Sequence, residues 1–464
     1  MSSARKILCL VSLILTCFSC SSRNGSRLSA DVAERFNKTV EKGKVIDSIC
    51  CRKDASQSYA LYLPAHYTPS RRWPVIYAFD SHGHGNVPVK LFQHIAEKLG
   101  FVVIGSNNSK NGLSGDDYNY IINHLLDDTH EKISIDSRRV YTAGHSGGAR
   151  LACYVAASYG GVAGVIACSA GFQPDPAMKN RFDFIGIAGT EDMNFLEMYN
   201  LDKDLNQSLL KHYFLSYKGK HAWPPQPVLD QALTWMQMNA MRNKLTPVDQ
   251  TLIDEFARSQ NTSVAGTKDI LEKYEILKFT SDCLNGLCDL TSYNKQLQNL
   301  KNSVEVKNHL DRMEKITNVE FSMQKKYSAA FMEKSISWWQ PELVRLSRQK
   351  GKNGDENSMN KRLLGFVSLM SYTYLSHALS EQDINNAEKF AKIYRLSDPA
   401  NPDCYYLYSW LYIELGKNKE ALSSLNKAVE LGFSDKKKLE QDPVFAEISS
   451  SPEFTRILQK IKSE

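Results

Sequence analysis

The chain has 464 residues, of which 42% are hydrophobic and 23% are charged, a composition typical of a packed protein with two to four domains. Its formal net charge is only +6, and the basic residues are scattered among acidic ones without a basic, aromatic-rich face. These features argue against nucleic acid as a partner.

The N-terminus has the pattern of a secretory signal. Arg5 and Lys6 precede an apolar run over residues 7–18, and small polar residues follow. The run is too short to span a bilayer as a stable helix. A buried N-terminal helix is the alternative, but no second, polar face marks one. We predict a signal peptide over residues 1–19.

The exit of this signal, CFSCSS over residues 17–22, resembles that of bacterial lipoproteins, in which the cysteine after the cleavage point is lipidated. Cys20 is the predicted lipidation site, and Cys17 is the alternative. The resemblance implies an exported protein that faces the periplasm or the cell surface, with a membrane contact through the lipid alone. Residues 20–44 are the predicted tether.

Seven cysteines lie beyond the signal, so at least one thiol is predicted to be free. Cys283 and Cys288 bracket a turn. A disulfide between them is compatible with the oxidising environment of an exported protein. These seven cysteines include no CxxC pair and have no histidine at ligand spacing, so structural zinc is not predicted.

From about Ser58 to Met241, short β-rich runs alternate with helix-like ones. The strand candidates are residues 59–63, 75–79, 101–105, 140–143, 162–167, 184–188 and 213–217. This alternation predicts an α/β domain over residues 45–245, with a mostly parallel sheet covered by helices on both faces. Ligand sites in such sheets form where loops leave the carboxyl ends of strands.

Beyond residue 245 the strand signal disappears and the pattern becomes helical. We predict a helical region over residues 246–365 and tetratricopeptide-like repeats with a cap over residues 366–464. The repeat is indicated by Ala387 and Ala421, which lie 34 residues apart, the period of that family. An ordinary helical bundle is the alternative. Repeat surfaces usually bind proteins, so a protein partner or self-association is expected here.

The stretch GHSGG, Gly144 to Gly148, fits the nucleophile-elbow pattern G-x-S-x-G. A serine in a tight strand-to-helix turn adopts a strained backbone, and glycines two residues before and after it remove steric clashes. The strand-like run before it and the helix-like run after it supply this context. Ser146 is therefore the predicted nucleophile, and a glycine-rich turn is the alternative.

A nucleophilic serine needs a base, which in this fold class follows the acid in the chain. Four histidines follow Ser146. His309 and His377 lie in the helical region, and His212 opens a strand candidate. His221 lies in the loop after that strand, so it is the predicted base; an exposed loop histidine is the alternative.

The acid is predicted at the end of another strand. Asp192 and Glu191 lie in AGTEDMNF, directly after the run over residues 184–188, whereas Asp183 begins that run at the wrong end of the sheet. Asp192 is the first candidate and Glu191 the second. Asp192 could also cap the helix that starts nearby.

Five motifs together resemble an α/β-hydrolase, specifically the compact esterases similar to polyhydroxybutyrate depolymerases, feruloyl esterases and dienelactone hydrolases. They are SYALYLP (58–64), WPVIYAFD (73–80), IDSRRVYTAGHSGGARLA (135–152), GTEDMNF (189–195) and GKHAWP (219–224). The resemblance covers about 40% of the chain. It implies a triad of Ser146, Asp192 and His221 that acts without a cofactor.

Those esterases usually carry a His-Gly pair directly after the second of these strands, whereas this chain reads FDSHGHG. The oxyanion donors are predicted to be the N–H of Gly147 and one N–H of the following loop, with Ser81 as the candidate. His82 and His84 raise the alternative of a metal site. Two histidines two residues apart are weak evidence for such a site, so no metal is predicted.

Substrate contacts are predicted at two places. Asn107 and Asn108, with Asn111, lie in GSNNSKNG after a strand that ends at the same edge. The alternative for these asparagines is a turn-forming role. Trp223 is predicted to wall the site beside His221, with a place in the core as the alternative.

The predicted function is hydrolysis of short acyl, aryl or carbohydrate-linked carboxylic esters. Only 45 residues separate Ser146 from Asp192, and 28 separate Asp192 from His221, so neither gap holds a large lid domain. The alternatives are a serine peptidase on the same fold and a non-catalytic, lipid-anchored repeat scaffold.

Overall fold

The computed structural model describes residues 32–175, 177–348 and 354–461. The predicted signal peptide and Cys20 lie outside the described residues. The chain forms two compact units. The first contains the described residues up to Ala188 together with Glu197–Tyr217 and Ala222–Leu297; the second contains Gly189–Leu196, Lys218–His221 and the described residues from Gln298 onward.

After helix α1 (32–39), the first unit is built on an eight-stranded sheet. Its strands are β1 (Val45–Cys50), β2 (Ser58–Tyr62), β3 (Trp73–Phe79), β4 (Val102–Ser106), β5 (Ile135–His145), β6 (Val162–Cys168), β7 (Asp183–Gly189) and β8 (His212–Tyr217). The order across the sheet is β1-β2-β4-β3-β5-β6-β7-β8. The pairs from β4 through β7 are parallel, and β2 pairs antiparallel with β1 and β4.

Helices cover both faces of this sheet. They are α2 (Asn86–Leu99), α3 (Gly115–Lys132), α4 (Gly147–Tyr159), α5 (Phe195–Leu205) and α6 (Gln226–Arg242). Helices α2 and α6 pack on the face that carries Ile76 and Ala78 of β3. On the other face, the hydroxyl of Tyr77 bonds to Thr129 of α3. Since every residue of β3 and β4 is buried, these strands appear in the sequence as uninterrupted apolar runs. The predicted α/β class, with a mostly parallel sheet covered by helices on both faces, is confirmed.

Two helices beyond residue 245 continue the same core. The sequence placed the end of the α/β domain at that residue, yet α7 (Gln250–Gly266) and α8 (Ile270–Leu284) add Ile253 and Phe279 to the cluster beneath the sheet. Cys283 is buried in this cluster while Cys288 is exposed, and both are free thiols. The disulfide that the sequence allowed is therefore not formed.

The rest of the described chain is helical, as predicted. It consists of α9 (Thr291–Lys301), α10 (Val304–Glu333), α11 (Ile336–Arg348), α12 (Gly354–Ser380), α13 (Ile384–Ser397), α14 (Pro402–Glu414), α15 (Asn418–Glu430), α16 (Lys436–Gln441), a 3-10 turn (Pro443–Phe445) and α17 (Pro452–Lys460). Helices α12 and α13 pack together, as do α14 and α15, and Ala387 and Ala421 are buried. Assignment to a repeat family stays a prediction. Among the described helices, none is both long and apolar enough to cross a membrane.

Asp183, the first residue of β7, makes stability depend on pH. Burial raises the pKa of its carboxyl to about 6, although Arg242, Lys211 and a hydrogen bond from Asn243 oppose the shift. The folded chain thus holds this proton more tightly than the unfolded chain, and folding loses stability as the pH rises from the ordinary pKa of 3.8 toward about 6. We expect Asp183→Asn to raise the free energy of unfolding by about 1–2 kcal/mol at about pH 7.5 and to give no gain near pH 3.5.

Urea unfolding at the two pH values measures this difference. Asp204→Asn is the matched control, because Asp204 is exposed, and its effect is expected to stay within about 0.5 kcal/mol at both. An equal gain in unfolding free energy from Asp183→Asn at both pH values would contradict a raised pKa of Asp183 as its cause.

Candidate active site

Ser146 lies in a strained turn between β5 and α4. Its φ is 54° and its ψ is −121°, a conformation that a residue with a Cβ rarely adopts. Its N–H donates to the carbonyl of Cys168 on β6 at 2.8 Å, and its own carbonyl accepts from the N–H of Ala149 at 3.0 Å. The turn is therefore fixed on one side by the neighbouring strand and on the other by the first turn of the helix.

The glycines around Ser146 are required by close approaches between main-chain atoms. A Cβ added at Gly144 would lie 2.2 Å from the carbonyl oxygen of Gly148, and one at Gly148 would lie 2.0 Å from that of Phe79, the last residue of β3. Neither position tolerates a side chain without movement of the backbone. The pattern G-x-S-x-G thus reflects the packing of the turn against its own helix and the adjacent strand.

Asn111 lies against the residue that follows the serine. A Cβ at Gly147 would come within 1.7 Å of the Asn111 amide oxygen, so the two residues are in contact. The N–H of Asn111 also donates to the carbonyl of Ser81 at 2.9 Å. Asn111 is exposed, and it connects the turn after β5 with the loop after β3. Of the three predicted asparagines, it is the one that reaches the elbow.

The side chains of Asn107 and Asn108 bond to neighbouring strands. The amide nitrogen of Asn107 donates to the carbonyl of Asp47 at 3.1 Å and to the hydroxyl of Ser58 at 3.2 Å. The amide oxygen of Asn108 accepts from the N–H of Ser58 at 2.8 Å, and its nitrogen donates to the carbonyl of Ser56 at 2.9 Å. These bonds connect the loop after β4 with β1, β2 and the turn before β2, and a substrate contact by either residue stays a prediction.

Asp80 organises the loop that follows β3. One carboxylate oxygen accepts the N–H of His82 at 2.9 Å, and the other accepts the indole N–H of Trp223 at 2.8 Å. Burial alone would raise the pKa of Asp80, but the hydrogen bonds from His82 and Trp223 outweigh it and hold the pKa below its ordinary value. Asp80 is absent from the predicted site, although an acid directly after a buried strand is the signal that marks it.

Trp223 packs inside the first unit. Its ring lies 5.6 Å from that of His145, the residue before the predicted nucleophile. Ser81 is buried in the same loop as Asp80. The oxyanion roles of Ser81 and Gly147 stay predictions.

The described residues contain no group of three or more His, Cys, Asp or Glu side chains placed to hold a metal ion. His82 and His84 stack on each other with their ring centroids 6.0 Å apart, and the side chain of His82 is 76% exposed.

In the second unit, Asp192 and His221 form a hydrogen-bonded pair. The Nδ1 atom of His221 lies 2.8 Å from a carboxylate oxygen of Asp192, which also accepts the N–H of Asn194 at 2.8 Å. Asp192 is fully buried, and the side chain of His221 is 23% exposed. Asp192 thus caps the following turn and holds the imidazole with the same oxygen.

The loops that carry Asp192 and His221 are also joined through their backbones. The N–H of Glu191 donates to the carbonyl of Gly219 at 2.8 Å. A Cβ at Gly189 would lie 2.4 Å from that same carbonyl oxygen, so only glycine allows the approach. The carboxylate of Glu191, the second candidate for the acid, pairs with Lys361 at 2.7 Å.

The three residues of the predicted triad follow three strands of one sheet. Ser146 follows β5, Asp192 follows β7, and His221 follows β8, the neighbour of β7. Strands β5, β6 and β7 are parallel, so their carboxyl ends lie at one edge of the sheet, where loops form ligand sites in α/β folds.

No protein-family model matches the chain, and neither does any curated protein sequence. Solved structures similar to it include S-formylglutathione hydrolase (FrmB) from Staphylococcus aureus, 14% identical with a TM-score of 0.35, in an alignment that covers 42% of this chain and 98% of that one. A ferulic acid esterase is 17% identical with a TM-score of 0.35 and coverages of 42% and 97%.

A mutant of the feruloyl esterase module from Clostridium thermocellum, complexed with sinapinate, is 15% identical with a TM-score of 0.34 and coverages of 41% and 86%. At identities and scores this low, the fold assignment depends on the strand order and pairing of this chain itself.

The contacts at the elbow predict different tolerances at adjacent glycines. Gly147→Ala is expected to cost less than about 1 kcal/mol of unfolding free energy, because the exposed Asn111 side chain can turn away, and to cost nothing in an Asn111→Ala background. Gly148→Ala is expected to cost about 3 kcal/mol or more in either background, because it meets the main chain of Phe79. Urea unfolding of the four variants measures the cost of each glycine substitution in the two backgrounds. Equal costs at Gly147 and Gly148 would contradict the contacts described for these glycines.

Proposed function

We propose that this protein is a serine hydrolase that cleaves carboxylic esters by acyl transfer to water. The observation that carries the proposal is the combination of a serine in a strained strand-to-helix turn with a buried carboxylate bonded to a partly exposed histidine. All three follow strands of one sheet in the chain order serine, acid, histidine. In the proposal Ser146 is the nucleophile, His221 the base and Asp192 the acid.

The hydrogen bond to Asp192 determines which nitrogen of the His221 imidazole carries the proton and which one accepts a proton. The buried carboxylate of Asp192 accepts a hydrogen bond from a protonated Nδ1 of His221, which leaves Nε2 to accept the hydroxyl proton of Ser146. The serine oxygen then forms a bond to the ester carbonyl carbon. The resulting intermediate collapses with transfer of the same proton to the leaving alcohol. Water, activated by His221 in the same way, hydrolyses the acyl-enzyme.

The oxyanion of the intermediate needs two preorganised donors. The N–H of Gly147 is at the first residue of α4, where the helix terminus favours negative charge. In the loop after β3, the N–H groups of His82, Gly83 and His84 all bond to Asp80. We therefore take the N–H of Ser81 as the second donor.

The segment between the proposed nucleophile and acid favours small esters. It consists of α4, β6, β7 and their connections, without room for a lid domain. A long acyl chain needs such a cover to be buried, whereas a short acyl or aryl ester does not. Asn111, exposed and in contact with Gly147, is the polar side chain that we propose to contact the substrate.

Ser146→Ala is expected to abolish labelling by a fluorophosphonate probe and to lower kcat for p-nitrophenyl acetate by about 10³-fold or more, because the nucleophile is removed. Ser81→Ala is the matched control. It removes a hydroxyl but keeps the proposed N–H donor, so kcat is expected to stay within about threefold of wild type. Labelling that persists in Ser146→Ala would refute the assignment of the nucleophile.

A panel of p-nitrophenyl esters and aminoacyl p-nitroanilides tests the substrate class. Because the segment between Ser146 and Asp192 holds no lid domain, kcat/KM is expected to be highest for acetate or butyrate and to fall by about tenfold or more for a long acyl chain. The anilides are expected to react more slowly than the esters. Faster turnover of the anilides would identify a peptidase instead.

A further inference from the structure

Helix α12 contacts the loop that carries Asp192, and both belong to the second unit. One guanidinium nitrogen of Arg362 donates to the carbonyl of Thr190 at 2.7 Å. The guanidinium also lies over the ring of Phe195, 4.6 Å from its centroid. Arg362 therefore holds the loop on both sides of Asp192, two residues before it and three residues after it.

Two further contacts fix the same stretch against α12. The ammonium of Lys361 pairs with Glu191 at 2.7 Å. The backbone of Gly365 lies so near the loop that an added Cβ would come 3.1 Å from the Cβ of Met193. The contacts thus involve the residues immediately before and after Asp192.

Arg362 is itself held by Glu320 of α10. The Nε atom of Arg362 donates to both carboxylate oxygens, at 2.9 and 3.0 Å, and a second nitrogen also bonds to one of them. The two side chains are 2% and 0% exposed. Burial of both charges carries a large desolvation penalty, which the pair offsets only in a well-defined geometry. The direction of the guanidinium toward Thr190 is therefore fixed.

We propose that Arg362, oriented by Glu320, is a positioning residue for the catalytic acid: it holds residues 189–195 where Asp192 can orient His221. The inference depends on the proposed function, since it assigns the C-terminal helices a part in the same reaction. The backbone hydrogen bond between Glu191 and Gly219 joins this loop to the loop of His221, so a displacement of the first loop also displaces the second. A shift of the loop would misalign the base with Ser146 and slow the chemical step more than substrate binding.

The test is a double variant, Glu320→Leu/Arg362→Met, in the full-length chain. It removes both charges, so neither is left buried without its partner, and it removes the bond to Thr190. We expect kcat for p-nitrophenyl acetate to fall by about 10–100-fold with KM within about threefold of wild type. Backbone amides of residues 189–195 are expected to exchange with deuterium faster than in wild type.

The matched control is Arg312→Met/Asp355→Asn. This ion pair, at 2.8 Å, also joins α10 to α12, and the bonds that the structure gives it lie within those two helices. The kcat of this control variant is expected to stay within about twofold of wild type. Deuterium exchange at the backbone amides of residues 189–195 is expected to be unchanged. Arg362→Lys is the second variant: it keeps a charge for Glu320 but lacks the fork that also reaches Thr190, so kcat is again expected to fall.

A double variant with wild-type secondary structure, kcat and exchange would overturn the inference while leaving the proposed function intact. An equal loss in the Arg312 control would overturn it as well, since the effect would then come from general packing of the two helices. Absence of esterase activity and probe labelling in the wild-type chain refutes the proposed function separately, and the exchange of residues 189–195 still tests the contact.

Discussion

The backbone of Ser146 is the constraint around which one edge of the sheet is organised. A serine with a φ of 54° persists only where its surroundings hold it. Here β6 accepts its N–H, α4 begins on its carbonyl, and the end of β3 lies in contact with the glycine two residues later. Three strands and one helix thus determine the position of a single residue. The turn belongs to the packed sheet rather than to a flexible loop, which is the property that a nucleophile with fixed geometry requires.

Two buried carboxylates extend this order into the loops that follow other strands. Asp80 gathers N–H groups of its own loop and the indole of Trp223, and these bonds keep its pKa below the ordinary value in spite of burial. Asp192 accepts from the N–H of Asn194 and from His221. In each case a carboxylate that accepts bonds from backbone and ring donors determines the shape of a loop. Under the proposed function, the first loop presents an oxyanion donor and the second orients the base.

Much of the fold and site could be predicted because their signals are local. Strands buried on both faces appear as apolar runs, and the serine, acid and histidine of the proposed triad each lie in a short motif beside such a run. Strand β1 was not predicted, because it is an edge strand with polar, exposed positions such as Asp47. The bond between Asp80 and Trp223 spans 143 residues, and that between Arg362 and Thr190 spans 172. Contacts of that kind leave no pattern in either segment, because tertiary packing alone brings the partners together.

The ion pair of Arg362 and Glu320 is a case where stability alone does not explain the choice of residues. Apolar side chains of similar volume often pack two helices together as well as a buried ion pair does, or better. They cannot, however, donate to a main-chain carbonyl. A guanidinium carries its donors in a rigid fork, so Glu320 can occupy one side while another N–H is directed at Thr190. A lysine would present a single compact charge, without separate donors for Glu320 and for the carbonyl of Thr190. The residue types present are therefore those suited to holding a loop at a defined distance from a helix, and the loop so held carries Asp192.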